Sequence, residues 1–240
     1  MYAKRLHRPH RQSRIGFTQF QTLLTRFGLL LCALTVFVPH IARAEAAGEN
    51  RPRILYLQPL GTCDREQMGS EAVRRGLLAF YDLEVRVLPC VELPIEAYYK
   101  PRHRYRAEKL LAFLRQRIPA DGWRILGLTA TDISTSKDAY VDWGVLGLGE
   151  LPGKASVISS FRCKKTARGP RHAIVRLAKV AVHEVGHTLG LPHCPNLGCL
   201  MEDAVGKVAT VDREHDFCVR CRKLAAGSGV PIKVLTGSPW

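Results

Sequence analysis

From residue 54 onward the apolar residues fall into short runs that alternate with stretches of helical spacing. Ile54-Leu55-Tyr56-Leu57 is unbroken and ends at Pro59-Leu60-Gly61, the composition of a buried first strand. Residues 67–80 place Ala72, Leu77 and Leu78 on one side of a helix. Residues 83–88 alternate apolar and polar over most of their length and close at Pro89, which predicts a second strand. A charged helix follows over 106–117, turning Leu110, Leu111, Phe113 and Leu114 toward the core. Residues 123–128 read as a third strand, 129–138 as a polar loop, and 155–161 (ASVISSF) as a further strand. The last long element is a helix over 172–189, where Ile174, Val175, Leu177, Val180 and Ala181 supply a wide apolar surface. Strands alternating with helices predict an α/β (α+β) layer: a mostly parallel twisted sheet, two long helices and a small Cys-rich C-terminal part. No internal repeat, low-complexity linker or second catalytic domain is visible.

The first 44 residues have a different character. Residues 1–26 carry Lys4, Arg5, Arg8, Arg11, Arg14 and Arg26 and no acid. An apolar run, FGLLLCALTVFVP, covers 27–39, and Ala42-Arg43-Ala44 follows. A basic head, a short apolar core and a small-residue cleavage site describe a secretory signal peptide over 1–44. An uncleaved anchor or a later start are the alternatives. The run is too short for an ordinary transmembrane helix, so no stable membrane span is expected after leader removal. The expectation is an exported protein, periplasmic or secreted, with one domain over 45–240.

Those 196 residues suffice for a single core. Leader removal lowers the net charge from +15 to +8, because all 21 acidic residues and 29 of the 36 basic ones remain. That charge favours acidic partners without proving any. The clusters at Arg102, Arg104 and Arg106 and at Lys164, Lys165, Arg168 and Arg171 lack the aromatic interleaving of a single-strand platform. They read as a solvated basic face, and no nucleic-acid partner is expected.

The chemistry concentrates in HEVGHTLGLPHCPNLGCLM, residues 183–201. His183 and His187 stand four apart, so a helix projects both from one face, one turn apart. Two imidazoles so placed can share a tetrahedral Zn²⁺, and Glu184 lies where it can take a proton from water on the metal. Gly190 supplies the freedom to stop the helix and turn back, bringing His193 in as third ligand. The fourth position stays open, which marks a catalytic site. Cys194 and Cys199, followed by the CxxC pair Cys218 and Cys221, can close a second, structural zinc site with no open position. Two disulfides, or a thioredoxin-like redox motif at Cys218 and Cys221, are the rival readings. Cys63, Cys90 and Cys163 remain. Cys63 and Cys90 each follow a predicted strand at what would be the same sheet edge, so a Cys63–Cys90 bridge is expected, with three buried thiols as the alternative.

The pattern HExxHxxGxxH-C-x4-C-x-M followed by CxxC resembles the archaemetzincin family of zinc metallopeptidases, motif by motif over roughly 171–221. The gap between Met201 and the CxxC is about one residue shorter than the family pattern, a difference a loop absorbs. The resemblance implies a metzincin-like zincin fold, peptide or protein substrates, and zinc-dependent peptide-bond hydrolysis with Glu184 as general base. It makes Met201 the residue that packs beneath the zinc-binding imidazoles. It also implies that the strand nearest the cleft pairs antiparallel with bound peptide, and 155–160 is the candidate for that edge, with an ordinary interior strand as the alternative. Aminopeptidase and endopeptidase action both suit the motif. The alternative is an exported zinc-containing protein that binds peptide with little or no turnover.

Overall fold

In chain order the elements are β1 (Ile54–Leu60), α1 (Cys63–Phe80), β2 (Glu84–Val87), β3 (Tyr98–Tyr99), β4 (Arg104–Arg106), α2 (Ala107–Arg115), β5 (Arg124–Thr129) and β6 (Ile133–Lys137). They continue with β7 (Tyr140–Val145), β8 (Gly147–Gly149), β9 (Ala155–Ser159), α3 (Ser160–Cys163), α4 (Pro170–Thr188), α5 (Val208–Arg213) and α6 (Val219–Gly227). The computed structural model describes residues 53–61 and 63–240, without the side chains of 63–68. The expected leader lies outside the described residues.

Every residue of β1 is buried, so it needs apolar cover on both faces. Its neighbours supply it. The main sheet runs β2-β1-β5-β9-β8, parallel throughout except for the antiparallel β8. Side chains alternate across a strand, so Leu55 and Leu57 enter one core with Val73, Leu77 and Phe80 of α1 and Leu177 and Val185 of α4. Ile54 and Tyr56 enter the other, with Leu110, Leu111 and Leu114 of α2. The result is three layers, α1 and α4 below the sheet and α2 above. Gly76 lets the two lower helices close up, since a Cβ there would stand 3.3 Å from Ala178 Cβ. The Cys-rich C-terminal part joins the lower core, with the Phe217 ring 5.5 Å from Phe80 and 6.1 Å from Tyr81.

Two expectations need correction. Strand 155–160 is not the edge: β9 lies between β5 and β8, and all five of its residues are buried. The edge is β8, whose Gly-Leu-Gly carries no strand signal because two of its three residues have no side chain. Nor is 129–138 only a loop. It contains β6, part of a small second sheet ordered β3-β4-β6-β7. Polar ISTSK and outward-facing YVDWGV escape a hydrophobic-pattern reading because this sheet buries little apolar surface. Cys90 is disulfide-bonded; the side chain of Cys63, its expected partner, lies outside the described residues.

Polar contacts hold α4 in place at both ends. At its C-terminus Arg124, stacked 3.7 Å over the Trp123 ring, donates to Thr188 Oγ1 at 2.8 Å and to Thr188 O at 2.9 Å. That satisfies a carbonyl the helix itself leaves free. Nearer the N-terminus the Arg176 side chain, 2% exposed, forks onto both Asp212 oxygens at 2.7 Å and donates to Cys163 O and Lys165 O. His172 Nε2 also donates to Asp212, at 2.7 Å. Arg176, then His172, hold the Asp212 carboxyl down to about 2. A carboxyl depressed on folding stabilises above its unfolded pKa, near 3.8, and loses that contribution as pH falls toward about 2. Asp212→Asn should therefore lower stability by about 1–2 kcal/mol at neutral pH, less than a fully buried pair because Asp212 is partly exposed. The difference from wild type should shrink between pH 4 and pH 2, checked by urea unfolding at several pH values; a pH-independent difference would refute the assignment.

Candidate metal centre and cleft

The last turn of α4 carries His183 and His187 on one face, with ring centroids 4.6 Å apart. Beyond the helix, Gly190 at φ 88° sends the chain back. Its N–H donates to His187 O, and the Leu191 N–H to Gly186 O, the paired bonds of a Schellman turn. His193 then arrives 5.4 Å from His183 and 4.8 Å from His187, centroid to centroid. One ring nitrogen from each of the three lies within 4.8 Å of the others.

Backbone carbonyls set the ring orientations. His183 Nδ1 is 2.7 Å from Leu200 O, and His187 Nδ1 is 2.7 Å from Leu191 O. A carbonyl oxygen only accepts, so each Nδ1 carries the proton and each Nε2 keeps its lone pair. Burial, then the neighbouring imidazoles, pushes His183 well below the usual histidine range, and burial brings His187 down to about 4. Both rings are thus neutral donors aimed at one point, as a cation requires. His193 is exposed, with Asp203 3.6 Å from its Nδ1.

Met201 is fully buried and packs against α4 at Gly186, between the two helical histidines in the sequence. Gly186 makes the room: a Cβ there would be 2.6 Å from Met201 Sδ. Glu184 is 6% exposed, covered by β8. A Cβ on Gly147 would fall 2.6 Å from Glu184 Oε1, and one on Gly149 would fall 3.0 Å from His187 Cβ. Burial raises the Glu184 carboxyl to about 8, helped by Glu214 and opposed by the Gly149 backbone N–H.

The four cysteines also converge, each sulfur within 4.8 Å of the others. Cys194 Sγ lies 3.6 Å from Cys218 Sγ, and Cys199 Sγ lies 3.7 Å from Cys221 Sγ. A disulfide needs about 2.05 Å, and all four thiols are free. A zinc tetrahedron with arms of about 2.3 Å has edges of about 3.8 Å, so the donor set fits that ion. The Cys218 N–H donates to Cys199 Sγ at 3.4 Å. The hydrogen bond shared with Cys221 is the main cause pulling the Cys199 thiol down to about 5. The CxxC pair thus does not stand apart from Cys194 and Cys199.

The three histidines and Glu184 line a cleft of about 490 Å³. Its upper wall is β7 and β8, and its lower wall is formed by the segment from Glu202 to Gly206 and by α5. The walls meet where Gly206 approaches Trp143, at 2.8 Å for a Cβ. Glu202, held by Arg213 and by the Gly198 N–H, and Glu214 also line the cleft. The sequence-level reading missed Gly147, Gly149, Gly186, Glu202 and Glu214. The G-x-G just before the ASVIS strand was the available signal for the first two. Among the described residues no helix is long and apolar enough to cross a membrane.

A family model described as Peptidase family M54 matches residues 74–226. The chain is 36% identical over 156 residues to the archaemetzincin of Natronomonas pharaonis, covering 62% of this chain and 86% of that protein. It is 33% identical over 168 residues to that of Archaeoglobus fulgidus, covering 70% and 95%. The crystal structure of archaemetzincin from Methanopyrus kandleri superposes with a TM-score of 0.65 at 30% identity, over 75% of this chain and 97% of that one. The Archaeoglobus fulgidus structure, complexed with malonate, gives 0.59 at 31%, over 71% and 99%. With three imidazoles and four thiols gathered as zinc requires, and with these similarities, the chain belongs to the archaemetzincin family, peptidase family M54, and is a zinc metallopeptidase.

Proposed function

We propose that the chain cleaves peptide bonds with Glu184 as general base, and that it carries two zinc ions, one catalytic and one structural. The observation behind this reading is the meeting of three neutral imidazoles beside a buried carboxyl in an open cleft. His183, His187 and His193 would hold the catalytic zinc, which would supply a Lewis acid for both water and the scissile carbonyl. Glu184 takes the proton of the attacking water and delivers it to the nitrogen that leaves as the C–N bond breaks. Its burial suits this task, since a desolvated carboxylate is a stronger base than a solvated one. Among the described residues β8 is bonded to β9 on one side only, and its other edge offers main-chain groups to an extended peptide. Cys194, Cys199, Cys218 and Cys221 hold the structural zinc. Because Cys194 follows His193 and Cys199 precedes Met201 by two residues, an ion held by these thiols would tie down the loop that carries the third imidazole and Met201.

Glu184→Gln should keep both zinc ions while lowering kcat by about 10²–10⁴-fold. Elemental analysis paired with turnover of a quenched fluorescent peptide checks this; near wild-type turnover would refute the general-base role. His187→Ala should leave one zinc of two, and so should Cys199→Ser, which should also lower the melting temperature. Wild-type protein with a single zinc would contradict the two-site reading. Gly147→Ala should retain zinc but lose most turnover, because its methyl group displaces the Glu184 carboxyl.

A further inference from the structure

Glu214, the residue after α5, is a second buried carboxyl in the cleft, 2% exposed and lining it with Val180, His183, Val208 and Val211. Among the described residues no hydrogen bond or ion pair within 4.0 Å reaches its side chain, whereas neighbouring charges are already engaged. Lys179 Nζ donates to Val211 O at 3.0 Å and Asp212 O at 3.3 Å. Arg213 is paired with Glu202. Glu184 and Glu202 add further negative charge nearby, and Cys199 acts on Glu214 in the same sense. Burial, incompletely offset by Lys179, raises the Glu214 carboxyl to about 8. With no partner among the described residues, the carboxyl is left facing the cleft, open to a cationic group that a ligand brings.

The place of this group relative to bound peptide follows from β8. Gly147 abuts the Glu184 carboxyl, while Gly149 abuts His187, so β8 and α4 run in the same sense across the site. A peptide paired antiparallel to β8 points its C-terminal half toward Gly147 and Val180. The side chain just after the scissile bond then meets the recess between Val180 and Val211 that Glu214 lines. We propose that Glu214 is a specificity-determining residue that selects Lys or Arg at the position following the scissile bond. The aliphatic stem of either side chain packs on the valines, and its cationic head supplies the missing partner. This rests on the peptidase reading above and narrows its substrate class.

The test uses the zinc-loaded chain and matched peptides differing only after the scissile bond: lysine against norleucine, and arginine against citrulline. Each pair has nearly the same shape and differs in charge. In the wild type, kcat/KM should favour the cationic member by at least about tenfold, as expected where a buried partner is otherwise left unpaired. Glu214→Gln should bring both ratios close to one. A wild-type ratio near one, or a preference that survives Glu214→Gln, overturns the proposal. If the variant does not fold, the two wild-type ratios decide the matter. Cleavage without charge preference sinks only this inference, while absence of cleavage of every peptide sinks the peptidase reading and this one with it.

Discussion

Two hydrogen bonds, from His183 Nδ1 to Leu200 O and from His187 Nδ1 to Leu191 O, set the terms for the rest of the molecule. Imidazoles spaced four apart on a helix share a face, but each ring turns freely about its side-chain bonds. Binding both Nδ1 protons to main chain removes that freedom and settles which nitrogen faces the cation. Both acceptors lie beyond the helix, so the chain has to reverse at Gly190 and again approaching Met201. The Schellman turn provides the first reversal, and the Cys194 N–H to Met201 O bond, at 2.7 Å, pins the second. The Leu191 acceptor comes with the local turn, whereas Leu200 O is available only once the segment beyond His193 has folded back onto α4. The orientation of His183 is therefore a product of tertiary structure, though the spacing of the ligands is local.

Such crowding around one helix needs places without side chains. Gly186 sits inside α4, where glycine costs roughly 1 kcal/mol relative to alanine. Its return is the seat for Met201 against the helix. Gly147 and Gly149 do the same for the roof, letting the edge strand lie directly on Glu184 and His187. A roof of larger residues would lift β8 off the helix, expose the Glu184 carboxyl to water and return it to the ordinary range of a glutamate. The weakness of β8 as a strand and the basicity of Glu184 thus share one cause.

This also explains what could be read from the sequence and what could not. His183, Glu184, His187, His193 and the four cysteines were legible because ligand spacing is covalently local and the residue types are chemically committed. The alternation of strands and helices was legible because β1, β5 and β9 are buried on both faces and read as plain apolar runs. The same burial misled the choice of edge strand. An apolar strand with every residue buried belongs in the interior, while the edge that meets a substrate owes its place to glycine and to the absence of a further neighbour. Glu214 was invisible for another reason. In the sequence it is one acid among charged residues after α5, and only the packing of α5 against α4 turns it into the cleft.

The two metal sites share one stretch of chain. His193 and Cys194 are consecutive, so the third imidazole and the first thiol cannot move independently; Cys199, Leu200 and Met201 are consecutive as well. One ordered thiol cluster would therefore fix an imidazole, the acceptor of a second imidazole's proton and the methionine seated on Gly186. The remaining ends of the cluster, Cys218 and Cys221, lie at the start of α6, whose Cys221 and Ala225 join the core containing Phe80 and Tyr81. Tyr81 in turn donates from its hydroxyl to Val182 O, 2.8 Å away, immediately before His183. Packing from α1 and cross-linking from the cysteines thus reach the same turn of α4 from opposite sides. A closed loop of contacts of this kind stiffens a site more than either contact alone, because displacing His183 disturbs the core and the thiol cluster together.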